Sequence, residues 1–103
     1  GEVLVLAMEG RLDAATAAAF EERLLARIDG GERRIAVDAG AISYVSSAGL
    51  RVFLMAARRL PPPDAGFAVA ALQPQVREVF DVAGFSSVLS LHDSLAAAVA
   101  ALR

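Results

Sequence analysis

A chain of 103 residues with no cysteine and a single histidine can form no disulfide, thiolate nucleophile or sulfur- or histidine-rich metal site. Its formal charge of −2 is modest, and its ten cations are all arginines, spread from Arg11 to Arg103 with pairs only at Arg33-Arg34 and Arg58-Arg59, a distribution that excludes a polybasic nucleic-acid footprint. Hydrophobic residues reach 56%, yet alanine supplies many of them and no apolar run approaches the ~20 residues that cross a bilayer. With no basic segment leading into an apolar one, no secretory signal is expected. The reading is a cytoplasmic monomer without direct membrane insertion, folding as one domain over residues 1–103.

In chain order, "VLVLAMEGRLD" is an apolar strand interrupted at Gly10, with either a tight turn or a bulge there before a short second strand through Leu12. Asp13 is a good N-cap type for a helix running to Asp29, in which Ala17, Phe20, Leu24 and Ile28 share one face. Gly30 and Gly31 stop it, since glycine takes the left-handed conformation of a helix end. "RRIAVDAG" is dense in β-branched residues on both faces and is expected near the middle of a sheet. A helix follows through Leu60, and "PPPDAG" ends it. "FAVAAL" is another strand, and Pro74 opens a helix whose apolar face is Val76, Val79, Phe80 and Ala83, ending at Gly84. "SSVLSL" is the last strand, and Leu95, Val99 and Leu102 line a final helix capped by Asp93 or Ser94. The order β-β-α-β-α-β-α-β-α predicts an α/β domain with a mixed, mostly parallel sheet of four to five strands and about four helices.

Chemistry concentrates at "YVSSAGLRVFLM", where a strand becomes a helix. If Ser47 is the N-cap, its hydroxyl lies beside unpaired backbone amides at the positive end of the helix dipole, a place that accepts negative charge. Gly49 in the first turn leaves the backbone open to phosphate or to a partner. The same residues also read as nothing more than a capping sequence. Projected at ~100° per residue, Leu50, Phe53, Leu54, Ala57 and Leu60 take the inner face, whereas Ala48, Val52, Met55 and Arg59 gather opposite with Arg51 at the edge. Such an outer stripe is a docking face, unless another part of the chain covers Val52 and Met55.

These residues carry a resemblance. "EGRLDAATAAAFEERLLARI", "IAVDAGAISYVSSAGLRVFLMAARRL" and "VREVFDVAGFSSVLSLHDSLAAAV", which together span nearly the whole chain, resemble the STAS domain of bacterial anti-sigma factor antagonists. The resemblance implies a STAS-like fold and a phosphorylation-controlled switch. The unphosphorylated antagonist binds an anti-sigma factor serine kinase, the kinase phosphorylates it, and a phosphatase restores it. Matching the family's Asp-Ser-Ser/Thr-Gly-Leu pattern onto Ser46 to Leu50 makes Ser47 the phosphoacceptor with Ser46 and Gly49 beside it, Asp13 matches the family's acidic residue near that site, and the outer stripe of Ala48, Arg51, Val52 and Met55 would then face the partner. Ser46 stands where many members carry aspartate and Ala48 where they carry a second hydroxyl, so Ser46 stays open as an alternative acceptor. The same resemblance admits a transporter appendage or lipid-transport subunit without a phosphoswitch.

An enzyme is not expected. No Gly-x-Ser-x-Gly elbow surrounds Ser47, and the one histidine, His92, falls just before the last helix, where it reads as a boundary residue. Asp13 and Asp38 lie at different kinds of strand end and read as structural. No metal or cofactor is implied, and no glycine-rich phosphate loop is present.

Overall fold

The computed structural model describes residues 2–103. Strand β1 (Leu4–Leu12) leads into helix α1 (Ala14–Asp29), β2 (Arg34–Val45) into α2 (Ser47–Arg59), β3 (Gly66–Ala70) into α3 (Pro74–Val82), and β4 (Ser90–His92) into α4 (Leu95–Leu102). The strands lie in sequence order, β1-β2-β3-β4, and all three pairings are parallel. The expected mixture of directions is therefore absent among the described strands.

The reason lies in β1. Instead of two short strands, one strand bends at Gly10, which takes φ +80, and its register against β2 shifts between Ala7 and Glu9 and again between Gly10 and Arg11. Of the two sequence alternatives, the bulge forms and the turn does not. The bend lets β1 follow β2 as far as the Leu12–Val45 pair, so β2 continues well beyond the short "RRIAVDAG" segment. Near the other edge, a 3-10 turn over Phe85–Ser87 takes Ser86 and Ser87, the first residues of the expected last strand, and Val88 is exposed, leaving only Ser90–His92 to pair with β3.

Alternation along β2 and β3 builds two unlike faces. Ile35, Val37, Phe67 and Val69 point to one side, where α1, α2 and α3 deliver the main core. Ala36, Ala68 and Ala70 point to the other, where Ala98 of α4 meets them with Leu95, Val99 and Leu102 around it. Small side chains there let a short helix approach the sheet closely. In the main core Phe53 of α2 is the hub. Its ring meets Phe20 of α1 at 5.4 Å and Phe80 of α3 at 5.3 Å, both edge-on, and Phe67 of β3 at 6.3 Å. Phe53 is fully buried, so the orientation of α2 about its own axis is held from three sides.

Candidate functional site

Leu12 and Val45 are the last pair of the β1–β2 ladder, both buried, and each is followed at once by a helix cap. Asp13 caps α1. Its carboxylate accepts the amides of Ala15 and Thr16, both at 3.1 Å, while the Thr16 hydroxyl accepts the Asp13 amide at 2.8 Å. The bonds from Thr16, backbone first and then hydroxyl, hold the Asp13 carboxyl below its ordinary ionisation range, with smaller help from Ala15 and from the charge of Arg11. Ser46 caps α2, accepting the Gly49 amide at 3.3 Å and donating to the Leu12 carbonyl at 3.0 Å.

This corrects the assignment of the cap: Ser46 performs it, and Ser47 is the first residue of the helix. The ladder decides between them. Because Val45 is still paired with Leu12, Ser46 is the first residue to leave the strand, and its amide also donates to the Leu12 carbonyl at 2.9 Å. Ser47 is thereby released. It is exposed, its hydroxyl makes no hydrogen bond within the described residues, and its amide and that of Ala48 precede the first intrahelical bond, which runs from Leu50 to Ser46.

Gly49 also differs from expectation. It is buried, and a Cβ there would lie 2.9 Å from both Leu12 and Val45 side-chain carbons. Its lack of a side chain serves close contact between α2 and the ends of β1 and β2, and does not open the backbone to a ligand.

The stripe of Ala48, Val52 and Met55 is not free either. Helix α1 packs beside α2, and Val52 is buried with only 5% of its surface exposed. The helix projection assumed one inner face, whereas α2 buries one face on the sheet and the adjacent one on α1. In compensation Leu54 and Ala57, assigned to the inner face, are only half-buried. What remains accessible is a shallow cavity of 330 Å³ between the helices, lined by Ala14, Ala17, Ala18 and Glu21 on α1 and by Ala48, Arg51, Val52 and Met55 on α2. Ala48 and Met55 are half-buried in it and Arg51 is exposed at its edge. A larger open cleft of 730 Å³ lies at the β1 bulge, lined by Met8, Arg23 and Asp38 among others, and contains none of the residues around Ser47.

His92 lies in β4 at the far edge of the sheet, half-buried, with its Nε2 2.7 Å from the Ser90 hydroxyl. It pairs with Ala70 as the last residue of a strand, so it is a sheet residue more than a boundary one. Ser94, one of the two expected residues, caps α4. The sequence reading missed Thr16, which completes the cap beside the site. Its signal was the three-residue spacing from Asp13.

The parallel sheet with its helices recurs in known proteins of similar fold. Residues 1–93 match the family described as Mlab, STAS domain, and the chain belongs to the STAS domain family. BtrV of Bordetella bronchiseptica, named as an anti-sigma factor antagonist, is 40% identical over 101 residues, covering 98% of this chain and 87% of BtrV. The crystal structure of an anti-sigma factor antagonist from Mycobacterium paratuberculosis superposes with a TM-score of 0.90 at 27% identity, covering 98% of this chain and 86% of that one. The Bacillus cell fate determinant SpoIIAA in its phosphorylated form shares the fold, with a TM-score of 0.73 at 20% identity over 99% of this chain and 92% of SpoIIAA. Family membership makes this a non-catalytic regulatory domain that works by binding protein. No helix among the described residues is long and apolar enough to cross a membrane.

Proposed function

We propose that the protein is an anti-sigma factor antagonist switched at Ser47. Unmodified, it binds an anti-sigma factor serine kinase through the start of α2 and the α1–α2 cavity, and so sequesters it from its sigma factor. The kinase transfers the γ-phosphoryl group of a nucleoside triphosphate to Ser47 Oγ: the new O–P bond forms as the bond to the bridging oxygen breaks, the nucleoside diphosphate leaves, and the hydroxyl proton passes to a base on the kinase. A phosphatase hydrolyses the ester with water, breaking the O–P bond to restore the hydroxyl and releasing inorganic phosphate.

The observation that carries the reading is the division of labour between the adjacent serines. Ser46 is committed to the cap, and Ser47 is exposed with its hydroxyl unengaged. A phosphate there adds about −1.5 to −2 charges at neutral pH. Backbone amides at the helix start accommodate it while the protein is free. A partner covering Ser47 has to desolvate it, which costs several kcal/mol. Little change of fold is needed, and the fold itself occurs in SpoIIAA in a phosphorylated form.

Titration calorimetry against the cognate kinase tests the switch. Ser47→Ala binds like the unmodified protein, whereas phosphoserine at position 47 weakens binding by about 100-fold, the equivalent of roughly 3 kcal/mol. Equal affinity of the two forms would overturn the reading. Phosphate recovered on Ser46 after incubation with kinase would overturn the assignment to Ser47.

A further inference from the structure

Arg51 follows Ser47 by four positions on α2, so the two side chains rise from the same face one turn apart. Both are exposed. The ion pairs among the described residues are Arg59 with Asp29 and Arg77 with Asp81, which leaves Arg51 with no carboxylate within bonding distance although Glu21 lines the same cavity from α1. Arg11, at the end of β1, lies over the Tyr44 ring at 4.2 Å and is engaged there. Asp13 is committed to its own cap.

We infer that Arg51 is the internal counter-ion of a phosphate on Ser47, an assignment that rests on the phosphoswitch proposed above. An acidic group four residues N-terminal to a cation is the favoured order on a helix, and a phosphate at the first helical residue also faces the positive end of the dipole. A phosphate has the oxygens to take the guanidinium fork in a paired geometry. Modification then changes the docking surface twice. It adds negative charge at Ser47, and it draws the unpaired cation at the cavity edge away from the partner and back along α2. Glu21 of α1 lines the same cavity as Arg51, so the cation is shared between that carboxylate's surroundings and the phosphate once Ser47 is modified.

Phosphorus NMR on the full chain carrying encoded phosphoserine at position 47 reads this without any partner. In the parent sequence the second phosphate ionisation falls below that in R51Q by about half a unit, an exposed pair giving the low end of such shifts. R51K retains part of the difference, and salt near 1 M removes most of it, since the screening length there is about 3 Å. Superimposable titrations of the parent and R51Q overturn the assignment, even where phosphorylation still weakens kinase binding. Distinct titrations with unchanged kinase affinity on phosphorylation uphold the counter-ion and overturn the switch instead.

Discussion

Ser46 and Leu12 are 34 residues apart in sequence, yet the Leu12 carbonyl accepts both the amide and the hydroxyl of Ser46, at 2.9 and 3.0 Å. The same hydroxyl accepts the Gly49 amide, so one side chain joins the end of β1 to the first turn of α2. Ser46→Ala removes the cap and the tie together and is expected to cost about 1–2 kcal/mol in urea unfolding. Ser47→Ala, at an exposed position without a bond to lose, is expected to stay within about 0.5 kcal/mol. A larger loss at Ser47 than at Ser46 would reverse the division of labour between them.

Gly49→Ala sets two effects against each other. Alanine is the better helix residue by about 1 kcal/mol. Its Cβ, however, meets the branch carbon of Leu12 and a methyl of Val45 at 2.9 Å in a fully packed corner, and overpacking of that kind costs about 1–3 kcal/mol. We expect net destabilisation, seen as a lower urea midpoint. Gly66→Ala is the control. Its Cβ meets only the tip of Leu102, 2.7 Å away, and that flexible side chain can rotate aside, so the expected change is within about 0.5 kcal/mol.

Phe53→Ala is expected to cost about 3–5 kcal/mol, since it empties a fully buried position touched by Phe20, Phe67 and Phe80. Phe53→Leu fills much of the volume and loses the edge-on ring contacts. Should it prove as damaging as alanine, shape at this hub matters more than volume. Thermal unfolding of both variants decides.

Acid sensitivity has a defined sign. The folded Asp13 carboxyl ionises below its ordinary value of 3.8, so the stability it contributes is present above that pH and is lost as pH falls through the lower folded value. Asp81 is lowered in the same direction, chiefly by the Ser86 hydroxyl and then by Arg77, and loses its contribution in the same window. Asp13→Asn keeps a capping oxygen but cannot titrate. Its melting temperature is expected to fall less steeply than that of the parent below pH 4, with the remaining slope owed in part to Asp81. Parallel slopes would show that the Thr16 bonds do not favour the ionised form.

Much of the architecture is legible locally. Ala17, Phe20, Leu24 and Ile28 recur at helical spacing and are all buried, Asp13 and Ser94 are cap types that cap, and Gly31 and Gly84 take the positive φ that stops or turns the chain. Each follows from a residue and its near neighbours. Ser46 and Ser47 are chemically identical cap types in adjacent places, and no local rule separates them. The ladder does, because pairing of Val45 with Leu12 fixes where β2 ends. Val52 likewise faces away from the sheet on a projected helix and is still buried, since α1 lies alongside, and a single helix's periodicity carries no information about a lateral neighbour. The sequence by itself determined the order of strands and helices and the caps of α1 and α4, through side-chain shape and backbone preference acting over a few positions. Only the tertiary structure decided which serine is exposed and which surface of α2 stays accessible, because both depend on register and packing between segments far apart along the chain.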